Sequence, residues 1–138
     1  MRKLLFITLL STSFFISSEE TISRWMSDYF KRIHDHIGNE NYEKAQYELE
    51  MGNNNYFRNG RTYEAALLYQ LYGQFYAVQS QYTEAVPWFE KALATEKMPR
   101  IGAQEVRFQL AQTYFMIGKY ENVIALLDEF IRVGERYK

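Results

Sequence analysis

His34 and His36 are the two histidines of this 138-residue chain and its best candidates for acid–base chemistry or metal binding. On a helix, positions two apart point in different directions, so the pair cannot converge on one ion. Neither has a carboxylate or cysteine at ligand spacing, and both read as surface or half-buried structural residues. The acidic groups Glu19-Glu20, Asp28 with Asp35, and Asp128-Glu129 read as solvated helix faces. The sequence contains no Gly-rich phosphate loop, serine elbow or paired-carboxylate cleft. It also contains no cysteine, which excludes disulfides, thiolate catalysis, thiolate metal sites and a lipoprotein attachment point. The expectation is no catalytic residue, no metal and no cofactor.

The elements that would carry any site come next. The length suits one domain, and an apolar fraction of 47% can fill a core. Tyrosine and phenylalanine are abundant, at 12 and 10, while 7 Gly and 2 Pro leave few breakers, so long helices are favoured over short strands. A net charge of −1 without any basic run argues against a nucleic-acid partner. At the N-terminus, Met1-Arg2-Lys3 precedes an apolar stretch from Leu4 to Ile16, followed by Ser17-Ser18-Glu19-Glu20. The stretch falls short of the ~20 apolar residues that span a bilayer. It fits a secretory signal over residues 1–18, with candidate cleavage points at Ser11-Thr12-Ser13 and Ile16-Ser17-Ser18. Residues 19–138 form the expected domain, exported to the periplasm, with the membrane touched only through the transient signal.

From Thr21 onward, apolar residues recur at helical spacing. Trp25, Met26, Tyr29, Phe30, Ile33 and Ile37 share a stripe that Gly38 ends as a C′ glycine. A second helix carries Tyr42, Ala45 and Leu49 and is expected to end near Gly52, with Asn53-Asn54-Asn55 and Asn59-Gly60 in a long loop. Thr62 is placed to cap a helix over 63–79. In the segment 82–97, Pro87 implies either a kink or a helix starting just before the proline. Segments 105–118 and 119–138 complete the pattern. Gly73, Tyr76, Tyr82, Ala85, Phe89 and Ala92 match Ala111, Tyr114, Tyr120, Val123, Leu127 and Phe130 at an offset of 38, and Ile33, Tyr42, Ala45, Leu49 and Gly52 precede their counterparts by 40. This makes three helical hairpins, with Tyr76, Tyr82, Tyr114 and Tyr120 expected as core filler.

The spacing small–x–x–Tyr, then Tyr–x–x–Ala/Val, then a large apolar residue four later, resembles the tetratricopeptide repeat, a 34-residue helix–turn–helix unit. The resemblance implies an all-α fold, a right-handed α-α superhelix of three hairpins. The repeat-closing proline is displaced to Pro99, and Ile33 replaces the small residue of unit one. The runs YEAALLYQLYGQFYAVQSQYTEAVPWFEKAL, MPR and FQLAQTYFMIGKYENVIALL are further similar to exported tetratricopeptide proteins that accompany TonB-type energy-transduction systems in Gram-negative bacteria. That resemblance implies a non-enzymatic adaptor binding a protein or peptide of a TonB-dependent uptake system. An assembly or secretion chaperone of the same fold, and a membrane-tethered structural subunit, are the rival readings.

In such repeats the first helix of each hairpin lines a concave groove. By register, the groove positions are Phe30 and His34 in unit one, Leu67, Gln70, Gln74 and Ala77 in unit two, and Phe108, Gln112 and Phe115 in unit three. Amides flanked by phenylalanines can bond a peptide backbone while burying its apolar side chains. No Lys/Arg cluster is present to clamp a carboxylate. On the last helix, Val123, Ile124, Leu126, Leu127, Phe130, Ile131 and Val133 cover an arc of about 180°, wider than the ~100° of a helix burying one face. A homodimer, a docking edge, or tight packing on the preceding helix would each account for it.

Overall fold

The computed structural model describes residues 22–57, 60 and 62–136. Among the described residues there are six α-helices and no strand: α1 (Arg24–Gly38), α2 (Tyr42–Asn55), α3 (Tyr63–Val78), α4 (Tyr82–Ala94), α5 (Arg100–Met116) and α6 (Tyr120–Glu135). The expected signal segment lies outside the described residues. Among the described residues, no helix is long and apolar enough to cross a membrane.

Three hairpins, α1–α2, α3–α4 and α5–α6, are closed by the same turn. Glu40, Ser80 and Gly118 each take a left-handed conformation, with φ of 57°, 62° and 74°. Each is followed by a backbone bond reaching back around the helix end: Asn41 N to His36 O (2.8 Å), Gln81 N to Tyr76 O (2.9 Å), and Lys119 N to Tyr114 O (2.9 Å). These bonds satisfy carbonyls that a helix C-terminus otherwise leaves orphaned. Gly118 takes the left-handed conformation without a Cβ penalty, whereas Glu40 and Ser80 hold it at a cost of about 1–2 kcal/mol each. The three turns fall at the 40- and 38-residue offsets seen in the sequence. The helix–helix packing is compatible with a helical repeat.

Several local expectations need correction. Gly38 is the last helical residue of α1, and the left-handed role falls to Glu40. Helix α2 continues through Asn53–Asn55, because Tyr56 N and Phe57 N both bond Gly52 O at 3.0 Å and close the helix only there. Helix α4 starts at Tyr82 and runs through Pro87. The missing amide would have bonded Thr83, and both residues are exposed, so water can reach the freed carbonyl. Helix α5 begins at Arg100, with Pro99 in the cap position, well before Glu105. Thr62 does cap α3, its hydroxyl oxygen accepting from Ala65 N at 3.2 Å.

Helix α3 is buried nearly all round, as its apolar composition on every face requires. It packs on α4 within its own hairpin and on α1 and α2 of the preceding one; α5 packs on α4 and α6. Gly73 permits a close approach of α3 and α4: a Cβ built there would lie 2.5 Å from the ring of Phe89, which has no exposed surface. Tyr72 and Trp88 stack at 3.9 Å between centroids and 7° between planes, and the Lys91 ammonium sits 4.4 Å from the Tyr69 centroid. The Tyr69 hydroxyl donates toward the Phe57 and Gly60 carbonyls, both at 3.1 Å, which pins the α2–α3 connection onto the core. Tyr82 and Tyr114 are core residues as expected and Tyr76 is half-buried, but Tyr120 is exposed, with no further described hairpin packed on it.

Candidate protein-binding surfaces

The nine residues assigned to a groove separate into three groups. Phe30, Gln70, Gln74 and Ala77 lie inside the fold. Phe30 stacks on Phe57 at 6.3 Å, and Gln70 Nε2 donates to Gln109 Oε1 at 3.2 Å across α3 and α5. As placed, these four meet other parts of the same chain and present no surface to a second polypeptide. The physical cause is coverage: the α2–α3 connection folds Phe57 over unit one, and α5 closes unit two. Leu67, His34 and Gln112 are half-buried. Gln112 Oε1 is buried with no hydrogen-bond partner among the described residues. Phe108 and Phe115 are exposed. His34 and His36 lie two apart on α1, and among the described residues no cluster of three His, Cys, Asp or Glu could hold a metal ion.

One cleft, about 880 Å³, runs between α4 and α6 with α5 as its floor. Its charged walls are engaged with each other. Tyr114 donates to Glu90, Arg107 Nε lies 3.3 Å from Glu129, and Gln104 Nε2 donates to the Phe130 carbonyl at 2.9 Å. These contacts tie α5 to its two neighbours.

A second cleft, about 430 Å³, is built by the first hairpin. Trp25, Asp28, Tyr29 and Arg32 reach it from α1 at helical spacing, Tyr47, Glu48 and Met51 come from α2, and Tyr56 follows α2. Trp25 packs edge-on to Tyr56 at 5.6 Å. Arg32 makes a two-pronged contact with Glu48, at 3.2 and 3.4 Å, while its guanidinium carbon sits 5.5 Å from the Tyr29 centroid. Tyr29 donates its hydroxyl to the Glu48 carbonyl. Burial, and then the Glu48 charge, push the Tyr29 phenol up to about 12, so it is a fixed donor at neutral pH. At the cleft floor Arg32 is paired with Glu48 and the Tyr29 hydroxyl is bonded, while Trp25, Tyr47, Met51 and Tyr56 stand exposed above it. Sequence periodicity placed Trp25 on the buried stripe of α1. The signal that separates it is position: it lies in the first turn of the first described helix, 53% exposed.

The last hairpin exposes a third surface. Ile101, Phe108 and Phe115 on α5, and Tyr120, Ile124, Leu127 and Ile131 on α6, are all exposed. The two rows meet through Phe115 with Tyr120 (5.6 Å), and Phe108 also lies against the half-buried Phe130 of α6 (6.5 Å). No residue of α6 is fully buried.

Comparison of the chain with protein-family models, curated proteins and solved structures gives no match.

Proposed function

We propose that this chain is a non-enzymatic protein-binding scaffold of the tetratricopeptide kind, and that the aromatic cleft of its first hairpin is the surface offered to a partner. The observation that carries this is the composition and build of that cleft. Trp, Tyr, Met and Arg are the types enriched at protein interfaces, and a few such anchors supply most of the binding energy. Here the aromatic anchors project from a floor already locked by the Arg32–Glu48 pair and the Tyr29 hydroxyl, so little side-chain freedom is lost on binding. The three repeated hairpin turns support a rigid scaffold of tetratricopeptide type, stacked as a superhelix. The resemblance to TonB-associated repeat proteins, and the signal-like segment at residues 1–18, extend the proposal to a periplasmic adaptor whose partner belongs to an outer-membrane uptake system. A chaperone that wraps a client along the concave groove draws no support from Phe30, Gln70, Gln74 and Ala77, which are buried.

The test is affinity purification from envelope extracts with the wild-type chain and a Trp25→Ala/Tyr56→Ala variant. Loss of two anchors worth about 2 kcal/mol each should weaken capture at least tenfold. Undiminished capture by a variant with wild-type circular dichroism would remove the cleft from the proposal. Recovery of no TonB-system or outer-membrane component would end the envelope-adaptor part.

A further inference from the structure

We propose that the exposed face of the last hairpin is a self-association surface, on which two copies of the chain pair through α5 and α6 to form an antiparallel four-helix bundle. Position along the repeat comes first. At the 38-residue offset, Ile101, Phe108, Phe115, Tyr120, Ile124, Leu127 and Ile131 correspond to Tyr63, Gln70, Ala77, Tyr82, Val86, Phe89 and Leu93. Every one of those unit-two counterparts is buried or half-buried, and the hairpin that follows packs on this unit through α5 against α4 and through Gln109 on Gln70. The last hairpin therefore displays the face that the fold elsewhere closes with helices.

Spacing then separates a second hairpin from a lone helix as the occupant. The α5 residues recur every seven positions (101, 108, 115), and the α6 residues alternate at four, three and four (120, 124, 127, 131). Both rows carry the 3.5-residue period of a bundle seam, side by side on adjacent antiparallel helices. A single helix seated in the groove would cover the inner flank of each row; a second two-helix face covers both.

Area agrees. The seven side chains are 37–64% exposed. Together with their ring areas this amounts to on the order of 800 Å² per copy, above the ~300–600 Å² patch of a typical monomer and equal to one partner's share of a standard interface. A twofold interface also asks nothing of the surface beyond self-complementarity, which alternating Ile, Leu, Phe and Tyr supply.

The experiment is sedimentation equilibrium of the full chain between about 1 and 100 μM, with an Ile124→Glu/Ile131→Glu variant and a milder Ile124→Gln variant alongside. Wild type should sediment at twice the 16.5 kDa chain mass, or at twice that of its processed form. The double variant should be monomeric, with dissociation at least 100-fold easier and helical circular dichroism retained, and Ile124→Gln should fall between. If the double variant does not fold, the shift in Ile124→Gln decides. A wild-type monomer throughout the range overturns the proposal, including a monomer whose face is covered by its own N-terminal apolar segment or by a foreign helix. A dimer unaffected by either variant overturns it as well. Trp25→Ala should remain dimeric, so failure here and failure of the first-hairpin cleft are read separately.

Discussion

Replacing Gly73 with alanine sets two physical effects against each other, and their sum has a predictable sign. In the middle of a helix, glycine is about 1 kcal/mol worse than alanine, so propensity alone makes Gly73→Ala stabilising. The structure opposes that. The new Cβ would lie 2.5 Å from two ring carbons of Phe89 and 2.7 Å from a third, where ordinary carbon contacts are about 3.5–4.0 Å. Phe89 has no exposed surface, so its ring cannot swing away without moving α4 from α3. Overpacking of this kind costs about 1–3 kcal/mol, and a rigid buried ring belongs at the upper end. The net expectation is a loss of about 1–2 kcal/mol, a fall in Tm of roughly 3–8 °C for a chain of this size. Gly134→Ala is the control: it lies in α6 with open space around it and should gain up to about 1 kcal/mol. Urea denaturation followed at 222 nm measures both. Adding Phe89→Leu to Gly73→Ala should recover part of the loss, giving a coupling of at least about 0.5 kcal/mol. A Gly73→Ala protein as stable as wild type, or strictly additive effects, would refute the close α3–α4 approach.

The Gln70–Gln109 amide pair should behave as a buried unit linking α3 to α5. Gln109→Leu strands the Gln70 donor and should cost about 1–3 kcal/mol in urea melts, whereas the double leucine variant should cost less than the sum of the singles. Alkaline pH should destabilise the fold. Burial raises the Tyr72 phenol, and burial together with Glu48 or Glu90 pushes Tyr29 and Tyr114 up to about 12. Since the folded chain holds these groups neutral above the ordinary value of 10, their stabilising effect is complete below pH 10 and is lost as pH rises toward 12. The urea midpoint should therefore drop from pH 9 to pH 11.5, and less so in Tyr114→Phe. An unchanged drop in Tyr114→Phe would exclude Tyr114 as a contributor.

Much of the fold was legible because the hairpin turn writes itself into the sequence twice. Tyr42, Tyr82 and Tyr120 each follow a left-handed turn residue by two positions, and the small residues Ala45 and Ala85 come three later, fully buried against the first helix of the hairpin. What periodicity could not show is coverage. Gln70 and Phe108 occupy the same register position, yet one is buried and the other exposed, because Gln109 of α5, in the next hairpin, meets the first and no further described hairpin packs on the second. Likewise the aromatic stripe on α1 mixes Phe30, closed over by Phe57, with Trp25, which stands free of it in the first turn. The connection that decides Phe30 comes after α2, far from it in sequence. At Pro87 the sequence left a kink or a later start open; the helix starts at Tyr82 and runs through the proline, whose freed carbonyl belongs to the exposed Thr83.

A chain of hairpins that pack mainly on their neighbours buries apolar surface in its middle and must leave some at its two ends. That accounts for where the accessible aromatic and aliphatic residues are found. The first described hairpin sets an ion pair and a bonded phenol beneath a few projecting rings, which leaves isolated anchors over a polar floor. The last hairpin has no such floor: α6 carries Ile124, Leu127 and Ile131 in a row, with no fully buried residue of its own to hold it. Burying a further ~800 Å² at about 25 cal/mol per Å² is worth on the order of 20 kcal/mol before the entropic costs of association. The first end is suited to selecting a partner and the second to being covered permanently. On the two proposals above, the surfaces would serve different kinds of interaction, even though the same repeat generates both.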